Sequence, residues 1–371
     1  MAVALFGLSP RHREFDPAGL TTPFGPVGDA LVSTFARWDS VWFMSIAQDG
    51  YGDGAREAFF PLYPLLLAIV GAPGEMLLAG ALLSTALAAV ALTVLHRLVA
   101  LDHGPAVARG AVLATAFMPM SFFLSAVYSE SLFLALSVGA VYAARTGRWA
   151  WAGALGGLAA ATRSAGVLLV VPLAILWWDA RGPRRAEDLG WLALVPGGVA
   201  AYCAYLSAAG GDPSAPFAAQ EVWFRSFAGP FVGAWDGLVA AVQGARQLLS
   251  GSREPVYFTE AGGDPFVVAR HNIALFAWLV AGLAAVALAV RRVPRAYLAY
   301  VVVALALPLS YPVAPQPLMS LPRFLLVLFP LAIAVAAWAH EGRRRGPALL
   351  AAGAIGLAVY SGIFATWHWV A

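Results

Sequence analysis

The feature that most constrains this chain is a succession of apolar stretches, each long enough or nearly long enough to cross a lipid bilayer. A helix needs about 20 apolar residues to span the hydrocarbon core, and shorter helices suffice where protein surrounds them. We therefore predict an all-α, polytopic transmembrane bundle of about ten helices, within a range of nine to twelve. The predicted spans are 76–96, 105–118, 130–144, 149–162, 165–178, 189–209, 273–290, 296–311, 324–340 and 347–367.

Composition agrees with this prediction. The 371 residues are 61% hydrophobic and only 12% charged, whereas soluble domains carry about 25% charged residues. With so little polar surface, the apolar side chains must face lipid. The single cysteine, Cys203, excludes an intramolecular disulfide and a cysteine-based metal site.

The basic residues predict the orientation of the chain. Apart from histidine they are all arginine, and most lie in short clusters that fall in alternate loops between the predicted spans. The positive-inside rule makes the face with these clusters cytoplasmic, and orientation explains them better than nucleic-acid binding does. Arginine without lysine, in a chain rich in Ala and Gly, indicates a bacterial coding bias towards high GC content, so we expect the membrane to be the plasma membrane of a bacterium. The clusters are Arg97 and Arg109; Arg145 and Arg148; Arg181, Arg184 and Arg185; Arg291, Arg292 and Arg295; and Arg343, Arg344 and Arg345.

The opposite, extracytoplasmic face carries most of the remaining polar residues. It holds a structured first outer loop, 37–73, and a long outer loop, 210–272, in which an amphipathic helix is predicted around 235–249. Three shorter segments join them at 120–129, 163–164 and 311–323. No soluble domain stands out, so we expect a single integral membrane domain over residues 1–371.

Asp39 is the first candidate for chemistry on the outer face. It follows Arg37 and Trp38 and precedes an apolar run that begins at Val41. An aspartate in this position is commonly a helix N-cap. A carboxylate at the membrane interface is also able to take a proton from an acceptor hydroxyl. The sequence leaves both interpretations open.

Three more charged residues stand out on this face. Glu130 lies at the start of a predicted span, where it either supports a helix cap formed by Ser129 or does chemistry. Arg163 and Arg323 depart from the positive-inside pattern. Each lies at the mouth of a helix, and arginine suits phosphate through its planar fork of donors. Arg163 is equally consistent with a tight turn that faces outward.

These residues lie in motifs that resemble those of a known family. Arg37-Trp38-Asp39, Ile46-Ala47 and Gly50-Tyr51, followed by the run Ala58-Phe59-Phe60-Pro61-Leu62-Tyr63-Pro64, resemble the opening of the PIG-V-like mannosyltransferases of the GT-C superfamily. Tyr128-Ser129-Glu130-Ser131-Leu132-Phe133 and Ala161-Thr162-Arg163-Ser164 also match that pattern in order and approximate spacing. The turn at Arg323 fits it more loosely.

The resemblance implies a GT-C fold and an inverting transfer of mannose on the outer face. The donor would be polyprenyl- or dolichyl-phosphate mannose, and the acceptor a glycan, glycolipid or protein hydroxyl. Asp39 would be the general base, and Arg163 and Arg323 would stabilise the phosphate that leaves. Arg37, Trp38, Tyr51 and Glu130 are then expected to position substrate.

The resemblance implies no cofactor, and no metal site is predicted. Asp39, Asp53 and Glu57 lie close in sequence, so a divalent cation bound between them stays open. The family also has a full first transmembrane helix. We expect it to be represented here by the end of a span at 1–8, or by an irregular span across 19–36.

Two other classes of function compete with an enzyme. Charged residues among many helices are also found in the translocation path of a transporter or lipid flippase. Against this class, the two halves of the chain show no internal repeat, which transporters commonly have. A relative without activity, acting as an assembly subunit, is the third possibility.

Overall fold

The computed structural model describes residues 16, 18–52, 54–72, 74–180, 185–254, 264–313 and 316–370. Within these ranges the secondary structure is helical, and β pairing is limited to one isolated bridge between Arg225 and Val313. The 1–8 segment and Asp53 lie outside the described residues, as do Arg181 and Arg184 of the third arginine cluster.

The helices are numbered here in chain order. They are α1 Gly25–Val32, α2 Asp39–Asp49, α3 Leu62–Val70, α4 Met76–Ala116, α5 Glu130–Arg145, α6 Trp149–Ala160, α7 Val170–Asp179, α8 Ala186–Gly190, α9 Leu194–Ala208, α10 Ala215–Ala218, α11 Val232–Ser250, α12 Pro265–Ala289, α13 Arg295–Ser310, α14 Leu321–Val327, α15 Phe329–His340 and α16 Arg345–Ala365. Short 3-10 turns occur at Ser33–Phe35, Arg56–Ala58, Ser121–Leu124, Ser164–Leu169, Trp191–Ala193 and Ala219–Trp223.

Fewer helices than predicted are long enough to cross a membrane by themselves. Within the described residues, four stretches are both long and apolar enough. They are Met76–Ala116, Ala186–Ala208, Pro265–Ala289 and Arg345–Ala365. The number rises to five if α14 and α15, which meet at a bend of 73°, form one broken span. The protein is therefore an integral membrane protein, but the predicted count of about ten spans is not confirmed.

Enclosure by protein explains part of this difference. Helix α5 has only 16 residues, and most of its side chains are buried. It packs against α4 on one side and α6 on the other. A helix that is surrounded by protein in this way does not need to be long enough to cross the hydrocarbon core of the bilayer by itself. Its residues read as a span in the sequence because their hydropathy alone does not tell whether lipid or protein covers them.

A kink divides α4 into two limbs. Gly104 has a φ of +76° inside the helix, a backbone conformation that glycine adopts without steric cost. Pro105 follows it, and proline is well tolerated in the first turn of a helix. The two predicted stretches at 76–96 and 105–118 correspond to these two limbs.

The arginine clusters meet at one end of the molecule. Arg145, at the end of α5, forms a bidentate ion pair with Asp102 at the α4 kink. Both N–O distances are 2.6 Å. Similar bonds join the other arginine-bearing loops to one another. The contacts are Arg145 with the Tyr297 hydroxyl at 3.0 Å, Arg295 Nε with Asp179 at 2.7 Å, and Arg292 with Glu341 at 2.9 Å.

Candidate active site

Asp39 begins α2 at a sharp turn of the chain. Trp38 has a positive φ of 53°, which turns the backbone from the extended Ala36 into the helix. The buried hydroxyl of Tyr128 holds this turn, because it donates to the Arg37 carbonyl at 2.9 Å and accepts from the Asp39 amide at 3.2 Å. The Asp39 carboxylate makes no capping bond to α2. The N-cap interpretation of Asp39 is therefore not what the structure shows.

The Asp39 carboxylate instead faces an arginine from the far end of the sequence. Its Oδ2 atom accepts a hydrogen bond from Arg323 Nη1 at 2.8 Å. The side chain of Asp39 is 20% exposed, whereas that of Arg323 is 7% exposed. Solvent therefore reaches the Asp39 carboxylate more readily than the Arg323 guanidinium.

Glu130 is the second carboxylate of the site, and its side chain is fully buried. A single oxygen, Oε1, accepts three hydrogen bonds: from Arg163 Nη1 at 2.7 Å and from Arg323 Nε and Nη2 at 3.0 and 2.8 Å. Ser129 precedes α5 but makes no side-chain capping bond. Of the two interpretations that the sequence left open, the cap by Ser129 is absent, and the Glu130 carboxylate binds guanidinium groups.

The two arginines of the network come from separate parts of the chain. Arg163 lies in extended backbone where α6 ends and the Ser164–Leu169 turn begins. Arg323 lies in α14, just before the bend to α15, and its guanidinium rests against the rings of Phe123 and Tyr128 at 4.9 and 4.8 Å. Asp39, Glu130, Arg163 and Arg323 thus form one continuous ion-pair network, which carries two charges of each sign.

Arg37 and Trp38 serve another part of the structure. The Arg37 guanidinium donates to the carbonyls of Ser33 and Ala36, and to that of Ala365 at 3.0 Å. It also lies over the Trp367 ring at 4.8 Å. Trp38 packs edge-on against Trp367 as well. Both residues join the start of α2 to the end of α16, and these contacts support the position of Asp39.

Tyr51 belongs to a separate aromatic cluster. Its hydroxyl donates to the Phe59 carbonyl at 2.8 Å, and its ring lies 5.4 Å from that of Tyr202 and 6.1 Å from that of Tyr205. Burial raises the pKa of the Tyr51 hydroxyl, and interaction with Tyr202 raises it further. The structure therefore places Tyr51 with Phe59, Tyr202 and Tyr205 instead of with the ion-pair network.

Arg225, in the long outer loop, is a further residue near the network. Its guanidinium lies 6.0 Å from the centre of the Phe324 ring, and that of Arg163 lies 5.6 Å from the same ring. Little in the sequence indicates that Arg225 lies near the network. Arg225 also breaks the positive-inside pattern, but Arg246, Arg253 and Arg270 do so in the same region of the chain.

The carboxylates considered as cation ligands do not form a described metal centre. Asp53 lies outside the described residues. Over the ranges that the structure describes, no group of three or more His, Cys, Asp or Glu side chains is placed to hold an ion.

The fold and the site together define a helical integral membrane protein with a buried network of ion pairs opposite its arginine-rich end. Comparison with known proteins finds similarity to one family of membrane enzymes over part of the chain. The family model for mannosyltransferase (PIG-V) matches residues 25–175, so the resemblance to PIG-V-like mannosyltransferases is confirmed over that range. The match includes Asp39, Glu130 and Arg163, whereas Arg225 and Arg323 lie beyond it.

Individual relatives point in the same direction. The chain is 35% identical over 185 residues to GPI alpha-1,6-mannosyltransferase 2 of Rattus norvegicus. This alignment covers 45% of this chain and 37% of the rat protein. The chain is 34% identical over 152 residues to the protein of the same name from Mus musculus, covering 38% and 31% of the two chains. The chain thus matches only about a third of the length of these curated relatives.

A solved structure also shares some similarity. The oligosaccharyltransferase of Archaeoglobus fulgidus, tethered with an acceptor peptide, aligns with a TM-score of 0.38 and 13% identity. The alignment covers 89% of this chain and 50% of that one. A similarity at this TM-score is too weak to assign a fold family.

Proposed function

We propose that this protein is a GT-C-type mannosyltransferase. It moves a mannosyl group from a polyprenyl-phosphate donor to an acceptor hydroxyl at the extracytoplasmic face of a bacterial plasma membrane. The observation that carries this proposal is the unequal exposure of the two carboxylates in the network. Glu130 is fully buried and held by two arginines, whereas Asp39 is partly exposed and bound through one oxygen by Arg323.

Asp39 has the geometry of a positioned general base. Arg323 binds its Oδ2 atom, and within the described residues no hydrogen bond reaches Oδ1. That oxygen is available to an acceptor hydroxyl. Because α2 begins at Asp39 and the Tyr128 hydroxyl fixes its amide, the carboxylate is held by both its backbone and its side chain. Such positioning lowers the entropic cost of reaching the transition state.

The reaction is a single displacement. The acceptor oxygen attacks C1 of the sugar while its proton passes to Asp39. The bond from C1 to the phosphate oxygen breaks, and its electron pair leaves with the polyprenyl phosphate. One displacement inverts the configuration at C1. The partly exposed Arg163 is suited to neutralise the charge that develops on the phosphate.

The structure changes the role that we propose for Arg323. It was expected to bind the phosphate directly, but its three nitrogens already bind Asp39 and Glu130 and its side chain is buried. We now propose that Arg323 positions Asp39 and that Glu130 in turn positions Arg323 and Arg163. Arg37 and Trp38 act further out, by fixing the turn before α2.

The rival function, a transporter or flippase, predicts no bond cleavage. The relatives described above are mannosyltransferases by name, so they give that alternative no support. A subunit without activity would likewise leave a lipid-linked sugar intact. Both alternatives are separated from an enzyme by one measurement, the release of polyprenyl phosphate from a labelled polyprenyl-phosphate mannose.

The test replaces Asp39 with asparagine, which keeps the shape of the side chain but removes its basicity. Purified protein in lipid nanodiscs is incubated with labelled polyprenyl-phosphate mannose and a membrane extract as the source of acceptor. We expect D39N to reduce transfer by about 100- to 10,000-fold, the usual contribution of a general base. Unchanged turnover by D39N would remove Asp39 from this role.

The control is Asp49→Asn at the other end of the same helix, where the carboxylate is 55% exposed. This variant should transfer sugar at the rate of the unmodified protein. Absence of both transfer and release of polyprenyl phosphate in the unmodified protein, with every lipid-linked sugar tried, would contradict the proposed function itself.

A further inference from the structure

Two guanidinium groups lie beside the ring of Phe324, next to the ion-pair network. The guanidinium carbons of Arg163 and Arg225 lie 5.6 and 6.0 Å from the centre of its ring. Arg163, Phe324 and Arg225 are all partly exposed, in contrast to the buried Arg323 and Glu130. A ligand can therefore contact these three residues more readily than the buried pair.

Backbone contacts hold Arg225 in this position. The backbone of Arg225 forms the isolated bridge with Val313. This bridge joins the long outer loop to the turn before α14. The guanidinium donates to the carbonyls of Tyr311 and Met319 at 3.3 and 3.2 Å. An arginine has five N–H donors, so these two bonds leave donors for a ligand.

The charges around Arg225 do not balance. Three arginines (Arg163, Arg225 and Arg323) interact with two carboxylates (Asp39 and Glu130), which leaves one positive charge in excess. Among the described residues, no carboxylate forms an ion pair with Arg225. Desolvation by the surrounding protein lowers the pKa of Arg225 to about 10, and repulsion from Arg323 contributes. At neutral pH the group remains a cation whose charge an anion would compensate.

We propose that Arg163, Phe324 and Arg225 form an anion-binding site for the phosphate diester of a lipid-linked donor. The inference rests on the proposed function for the identity of that donor. A phosphate diester carries one negative charge, which matches the single excess positive charge of the cluster. Arginine binds phosphate oxygens through parallel N–H donors, and both guanidinium groups lie beside the same ring, that of Phe324.

A purely structural role for Arg225 makes a different prediction. If Arg225 only fastens the outer loop through the carbonyls of Tyr311 and Met319, its removal should lower thermal stability and impair binding of every ligand alike. If it binds phosphate, its removal should weaken binding of phosphorylated lipids selectively. The comparison therefore needs ligands that differ only in the phosphate.

The experiment measures binding without turnover. Purified protein in nanodiscs is titrated with polyprenyl phosphate, with the uncharged polyprenol, and with inorganic phosphate as a competitor. We expect Arg225→Ala to weaken polyprenyl phosphate binding by about 10- to 100-fold, in line with the loss of a hydrogen bond to a charged group. Polyprenol binding should not change. Inorganic phosphate should compete in the unmodified protein and lose this effect in R225A.

Arg253→Ala is the matched control. Arg253 lies in the same outer loop and also faces a phenyl ring, that of Phe266 at 5.1 Å, but its side chain is 73% exposed. Its removal should leave binding unchanged. Arg225→Lys separates charge from geometry: it should retain the thermal stability of the unmodified protein and still bind polyprenyl phosphate more weakly.

The outcomes separate this inference from the proposed function. Normal polyprenyl phosphate affinity in a folded R225A protein that still transfers sugar would overturn the anion site and leave the function standing. Selective binding of polyprenyl phosphate that depends on Arg225, without sugar transfer, would support the site and contradict the function. Equal loss of polyprenol and polyprenyl phosphate binding in R225A would assign Arg225 a structural role and overturn the site.

Discussion

Glu130 shows how much of the site depends on one side chain that solvent does not reach. Its carboxylate is fully buried at the start of α5 and compensates Arg163 and Arg323 together. Burial of a charge is costly unless a partner of opposite sign is close. Glu130 is therefore required for the two arginines to occupy these positions, whether or not it ever contacts a substrate.

We expect Glu130→Gln to destabilise the protein by about 3–5 kcal/mol, because removal of one partner leaves buried charge without compensation. Thermal unfolding of the purified protein in detergent measures this loss. A second variant that also carries Arg163→Gln should recover part of it, since it removes one charge of each sign.

Glu341→Gln is the control for this prediction. Glu341 also pairs with an arginine, Arg292 at 2.9 Å, but its side chain is 51% exposed, and exposed ion pairs contribute little. The melting temperature of E341Q should stay close to that of the unmodified protein. If E130Q melted at the same temperature as E341Q, the buried network would not contribute to the stability of the protein.

Sequence reasoning identified the four members of the network but not their pairing. Asp39 and Glu130 stood out within motifs, and Arg163 and Arg323 stood out as arginines on the face where few are expected. The bond between Arg323 and Asp39 joins residues 284 positions apart, and no local pattern contains such a contact. For the same reason the sequence does not show that Arg37 donates to carbonyls of its own turn and of α16.

At the scale of helices, α6 and α9 approach each other through glycine. A Cβ atom built on Gly198 of α9 would lie 2.0 Å from the Gly157 carbonyl oxygen of α6. One built on Gly157 would lie 2.5 Å from the Leu194 carbonyl oxygen. Membrane helices associate through such small residues because the backbones can then come into close contact.

We expect Gly198→Ala to destabilise the protein by about 1–3 kcal/mol, the usual cost of overpacking. The added methyl group meets backbone, which cannot turn aside as a side chain would. The melting temperature in detergent and the yield of folded protein both report this effect.

The neighbouring glycine provides the matched control. A Cβ atom on Gly197 meets nothing within 4 Å, so Gly197→Ala should be neutral or slightly stabilising, because alanine favours the helix. Equal tolerance of both substitutions would mean that α6 and α9 are not in close contact.

The helices also show where hydropathy stops being informative. It located α4, α12 and α16, whose bounds lie close to or include the predicted stretches, and it predicted an amphipathic segment where α11 forms. Hydropathy also predicted spans at α5 and α6, although these helices have only 16 and 12 residues and are too short to cross a bilayer by themselves. A helix enclosed by protein and a helix exposed to lipid are equally apolar, so the number of crossings depends on packing that the sequence does not display.

The molecule as a whole has two chemically different ends. At one end, ion pairs join the loops that carry the arginine clusters, among them Arg145 with Asp102 and Arg292 with Glu341. At the other end lie the network around Asp39 and the bridge between Arg225 and Val313. The positive-inside rule predicts that the first end faces the cytoplasm, and an extracytoplasmic reaction requires the second end to face outward.

Cysteine labelling tests this orientation directly, because Cys203 is the one cysteine of the chain and Cys203→Ser gives a background without thiols. In that background, Arg253→Cys places a thiol in the long outer loop and Arg344→Cys places one in the last arginine cluster. Both positions are exposed. In intact cells, a maleimide that does not cross membranes should label R253C and not R344C, while both should react after the membrane is permeabilised. The reverse pattern would place the Asp39 network in the cytoplasm, where the proposed site would face the wrong compartment for an extracytoplasmic transfer.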